Sequence, residues 1–148
     1  MQRQIRMDVG SVVLALAVMI SLPRGAEAQP DLTQGDMKGV DRKLTYNLGS
    51  TGLRGWIYSK PATHFDGLQG RTTALSRQIL VTHVGAKSPA DGVLAVDDVI
   101  LGVAGKPFSD DARKSIAAAI QEAEKESNAG ALKLTRWRAG KTEEVQLK

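Results

Sequence analysis

The chain has 148 residues, 42% hydrophobic and 24% charged, with a formal net charge of +4 and no cysteine. That length makes one small domain once a leader is set aside, and the lack of thiols excludes a disulfide scaffold or a thiolate metal site. Basic and acidic residues are interspersed, which argues against nucleic acid, and His64 and His83 are too few for a multi-histidine metal site.

Arg3 and Arg6 precede an apolar run from Val12 to Leu22, and Ala26-Glu27-Ala28 has the small-x-small form of a cleavage site. The run is shorter than the ~20 apolar residues that span a bilayer. Residues 1–28 therefore read as a secretory signal peptide cleaved near Ala28, with an uncleaved anchor as the alternative raised by Asp8. The expectation is export to the periplasm or beyond, with no stable membrane insertion after cleavage. Residues 29–42 are polar, carry Pro30, Gly35 and Gly39, and are expected to form a flexible lead-in to a domain over 43–148.

Leu44, Tyr46 and Leu48 alternate with polar residues as in a short half-buried strand, and Trp56-Ile57-Tyr58 reads as a second. Lys60 to Arg77 has no clear period and reads as a long surface loop. Gln78 to Val84 is a strong strand signal, and its apolar pattern makes His83 a structural residue. Ser88-Pro89-Ala90-Asp91-Gly92 suits one short helix. Val99 to Val103 is a buried strand closed by a turn at Ala104-Gly105. Ser109-Asp110-Asp111 offers an N-cap for a helix from Ala112 to about Glu126, with Ile116, Ala119, Ile120 and Ala123 on one face. Leu132 to Trp137 and Glu143 to Leu147 alternate across Ala139-Gly140-Lys141 as a hairpin. Its basic residues Lys133, Arg136, Arg138 and Lys141 read as a solvated edge, and Trp137 as a core or sheet-face aromatic rather than a ligand platform.

From Gly52 to Leu147 this order resembles a PDZ domain of the bacterial secreted type. The stretch ILVTHVGAKSPADGVLAVDDVILGVAGKPF carries most of the resemblance, and LKLTRWRAGKTEEVQLK resembles the terminal hairpin of those domains. The Gly-x-x-Gly-Trp entry also looks like the N-terminal PDZ module of large uncharacterised secreted bacterial proteins. The implied fold is α+β, a partly open β-barrel or sandwich of five to six short strands with one short and one long helix. Three departures stand out: the family usually has glycine where this chain has Asp97, so a differently made turn is expected; the loop from Lys60 to Arg77 is longer than usual; and Arg54 fills an apolar slot.

The resemblance implies a peptide-binding module. An extended segment would add as a strand between the second strand and the long helix, its terminal carboxylate held by a loop of Leu53, Arg54, Gly55 and Trp56 through the amides of the last three. Trp56, Ile57 and Tyr58 would pair with the incoming strand, and Ala112, Ile116 and Ala119 would line the groove. The competing readings are plain: Gly52 and Gly55 could simply shape a turn, the arginine could point to solvent or touch the carboxylate, and the helical face could be only core. Nothing in the chain supplies a Ser/His/Asp set, a nucleotide loop or a metal site. The expectation is a non-catalytic monomer without cofactor that binds C-terminal or extended segments of other proteins. The alternative is the substrate-recognition module, or a fragment, of a secreted protease or hydrolase whose catalytic domain is absent. A third reading is a structural domain whose groove is closed by its own lead-in or long loop.

Overall fold

Residues 29–61 and 70–148 are described by the computed structural model; the segment read as a signal peptide, and His64, lie outside them. Among the described residues, seven strands and one α-helix follow in order: β1 (Tyr46–Asn47), β2 (Leu53–Ile57), β3 (Ile79–Val84), β4 (Val99–Val103), β5 (Lys106–Pro107), α1 (Ala112–Ala123), β6 (Leu132–Arg138) and β7 (Lys141–Leu147). The fold is α+β: one open antiparallel sheet in the order β1-β2-β3-β4-β6-β7, with β5 paired to β4 off that path.

The two sheet faces are covered differently. α1 presents Ala112, Ile116, Ile120 and Ala123, a spacing that puts all four on one helical stripe, and all are buried. They share a core with Leu53, Ile57, Ile79, Val81, Ile100, Leu132, Leu134 and Leu147. Alternation along the strands sends the other set outward. Trp56, Leu80 and Val99 pack there with Leu32, and Val40, Tyr58 and Trp137 lie against them. Covering both faces is why β3 opens with three consecutive buried residues, Ile79, Leu80 and Val81.

The cover on the second face comes from the stretch expected to be flexible. Residues 29–42 are instead fixed as a strap. Leu32 is buried, its N–H donates to Gln78 Oε1 at 2.8 Å, and Arg77 N–H donates to Gln29 Oε1 at 2.7 Å. Asp31 caps the 3-10 turn Leu32–Gln34. Its carboxyl is held below the ordinary carboxylate range, first by the Gln78 amide donor and then by the Thr33 hydroxyl.

Three further expectations change. The short helix at 88–92 is a run of turns, with Asp91 N–H donating to Ser88 O and Leu94 N–H to Ala90 O. Asp97 has φ 75°, so the turn has the left-handed backbone a glycine would give, which Asp tolerates better than most residues. Its carboxylate pairs with Arg42. The basic edge of β6 is not merely solvated. Arg138 grips the buried Asp98 through both carboxylate oxygens at 2.5 and 2.6 Å, a fork that raises the arginine's own pKa. Arg136 donates to Val93 O at 3.0 Å and pairs with Glu143. The contacts to Asp98 and Val93 tie the terminal hairpin to the turns preceding β4.

Candidate peptide-docking site

The site is built around the β1–β2 hairpin. Tyr46 opposes Gly55 and Asn47 opposes Arg54, and Leu48 N–H donates to Leu53 O at 3.0 Å. The connecting turn is closed internally: Thr51 Oγ1 donates to Leu48 O at 2.8 Å and accepts from Leu53 N–H at 3.2 Å. It is also docked on the chain that follows β3, where Gly85 N–H donates to Gly52 O at 2.8 Å and Ala90 N–H to Thr51 O at 3.2 Å.

Both glycines of Gly52-Leu53-Arg54-Gly55 are explained by the protein's own packing. Gly52 has φ 77°, and a Cβ there would sit 2.1 Å from Ser88 Cβ. Gly55 lies at a register shift of β2 against β3, and a Cβ there would meet Ile79 Cγ2 at 2.5 Å. Neither position requires a ligand.

The amides of Arg54, Gly55 and Trp56 are not brought together. They belong to β2 rather than to a loop, and Arg54 and Gly55 are paired with β1 on one side and β3 on the other. Successive amides in a strand point to opposite edges, whereas an anion nest needs them to converge. Arg54 is exposed, and its guanidinium also reaches back to the residue before β1. Its Nε donates to Thr45 Oγ1 at 3.0 Å and its Nη2 to Thr45 O at 3.1 Å.

Of the expected pairing strand, Trp56 and Ile57 oppose Leu80 and Ile79 of β3 and are buried on opposite faces. Tyr58 follows the strand end, and its carbonyl accepts from Ser76 Oγ at 2.6 Å. On α1, Ala112 and Ile116 are wholly buried and Ala119 packs partly against the same core. The start of α1 is fixed by Asp111, which accepts from Arg113 N–H at 3.0 Å and from Thr72 Oγ1 at 2.7 Å. His83 is exposed on β3, which corrects its reading as a buried structural residue. Trp137 is the sheet-face aromatic the alternation suggested.

The slot beside α1 is occupied by the chain itself. Arg113 stacks over the Tyr46 ring at 4.5 Å. Leu48 is buried with Ile116 and Ile120, a Cβ on Gly49 would lie 3.9 Å from Ile120, and Ser50 Oγ donates to Glu124 Oε1 at 2.6 Å. Residues 46–50 therefore run along α1 from its first turn to its last, antiparallel to β2. The alternation of Leu44, Tyr46 and Leu48 signalled a strand, but nothing local told which edge it would join.

Comparison with known families, curated proteins and solved structures gives no match.

Proposed function

We propose that this chain is an exported, non-catalytic, PDZ-type module that takes extended segments of other proteins by strand addition between β2 and α1. One observation carries the reading. The outer edge of β2, with α1 alongside, receives an extended strand in antiparallel register, as Tyr46↔Gly55 and Asn47↔Arg54 do. Main-chain pairing of that kind supplies affinity, and pockets for alternate side chains supply selection. An apolar pocket of about 210 Å³ between Thr51, Ile120, Ala123, Leu132 and Leu147 adjoins the slot and would receive one further side chain. Because the β2 amides alternate, the ligand is an extended segment that needs no terminal carboxylate.

The test is a peptide-library screen with the purified protein, followed by titration of selected peptides with free and with amidated C-termini. Binding near ~1–100 μM, as for transient peptide contacts, with resonance shifts confined to β2 and α1 and no dependence on amidation, is the expected result. No selected peptide, or shifts confined to another surface, would overturn the docking reading. Loss of binding on amidation would restore a carboxylate site elsewhere on the slot.

A further inference from the structure

We propose that Leu44–Leu48 is an internal ligand, and that the partner segment displacing it carries an aromatic residue followed two positions later by leucine. The inference rests on the slot between β2 and α1 being the docking site, and it names what that site selects.

The seated segment shows what the slot accepts. Tyr46 and Leu48 point inward and are 5% and 3% exposed, while Asn47 between them is exposed. The aromatic ring has a cation above it, since Arg113 lies over Tyr46. The leucine shares the apolar wall of Ile116 and Ile120. An incoming strand that kept this alternation would place the same two side chains in the same surroundings.

The attachment of the segment suits release. β1 pairs with β2 over two residues, against five for β2 with β3 and seven for β6 with β7. Both flanks also have anchors of their own. On one side the strap is fixed through Leu32 and Gln78, and Arg42 pairs with Asp97. On the other the turn after Leu48 is docked through Thr51 and Gly52 onto Ala90 and Gly85. Residues 43–48 can therefore leave the slot by giving up the Leu48 bonds to Thr51 and Leu53 and the Arg54 bonds to Thr45, while the strap and the docking of Thr51 and Gly52 stay in place. Occupancy by the internal segment lowers apparent affinity by the fraction of molecules in which the slot is open.

Asn47 and Arg54 oppose each other on the exposed face, and the chain has no cysteine of its own. The double variant Asn47→Cys/Arg54→Cys thus gives a redox-controlled staple across β1 and β2. The probe is a capped peptide copying residues 44–49, with a control carrying serine at the Tyr46 and Leu48 positions. The reduced protein should bind the probe at least about tenfold more tightly than the oxidised protein, and the control should bind neither form. Tyr46→Ala in the otherwise unaltered chain, checked for folding by tryptophan fluorescence, should also bind the probe more tightly than the parent. Equal affinity in the stapled and reduced forms, or equal binding of the serine control, overturns the internal ligand. If library peptides bind while the staple changes nothing, the docking site survives and this inference fails. If nothing binds either form, the docking site itself fails.

Discussion

The sheet has two edges, and the chain finishes them in opposite ways. β7 is zipped to β6 over seven register pairs from Leu132↔Leu147 to Arg138↔Lys141. The reversal is two residues, Ala139 and Gly140, at φ 48° and 84°. Positive φ at both centres is the turn whose twist matches a hairpin. β1 pairs over two residues and reverses through a longer turn ending in left-handed Gly52. One edge is secured by its own ladder and by cross-strand charges such as Lys133 with Glu144; the other is covered by a helix. A covered edge is shielded from stray pairing, and its cover can be shared with a competing strand, whereas a zipped edge offers no such exchange.

Truncation of matched leucines should separate the edges most. Leu134 is wholly buried at the heart of β6, and Leu48 is buried beside α1. Leu134→Ala should lower the unfolding free energy by about 4 kcal/mol and Leu48→Ala by about 2 kcal/mol, since a segment at the margin relaxes into the lost volume more easily. Urea titration of both variants measures this. Equal losses would mean that β1 is as integral to the fold as β6.

The two turns make a second pair. Gly52→Ala suffers left-handed strain and a collision with Ser88, whereas Gly140→Ala suffers strain alone, with nothing within 4 Å of the new Cβ. Costs of about 2–3 and about 1 kcal/mol are expected from thermal melts. Ser88→Gly should recover the collision part in the Gly52→Ala background and do nothing for Gly140→Ala. Absence of that recovery would mean that the hairpin does not lean on the turns after β3.

A smaller effect is expected from Arg113→Ala. The guanidinium over Tyr46 is an exposed cation–π contact worth about 0.5–1 kcal/mol. Its loss should speed hydrogen exchange of the β1 amides severalfold and leave those of β6 and β7 unchanged, because local opening reports only the contacts that the opening breaks. Uniform acceleration would place β1 in the same cooperative unit as the terminal hairpin.

The same contrast marks what could be read from the chain. The terminal hairpin and α1 were legible because their signals are local: alternation across a Gly turn in one, a 3.6-residue stripe through Ala112, Ile116, Ile120 and Ala123 in the other. The strap was not, because Leu32 and Val40 are isolated apolar residues whose burial depends on a distant sheet face. Arg138 looked solvated because its partner, Asp98, is forty residues away. Gly55 drew a ligand reading because a bulge packed on Ile79 and an open loop leave the same residue in the sequence. The destination of Leu44–Leu48 was hidden for a related reason, since edge choice is settled by tertiary packing.

One anchor on the β1 side, the strap, is expected to respond to pH. Asp31 accepts from Gln78 Nε2 at 3.0 Å, Thr33 Oγ1 at 2.8 Å and Thr33 N–H at 3.0 Å. These donors favour the carboxylate and hold its folded pKa below the ordinary value. A depressed folded pKa means that the contribution is fully present above the unfolded value near ~4 and is lost as pH falls through the folded one. Acidification below pH ~4 should therefore loosen residues 29–36 first, seen as a change in tryptophan emission because Leu32 packs in the Trp56 cluster. Asp31→Asn should flatten that response while leaving the Arg138–Asp98 tie of the terminal hairpin intact. If acid opens both edges together in the parent and in the variant, the strap is not a separate anchor, and the independence of the two edges is lost with it.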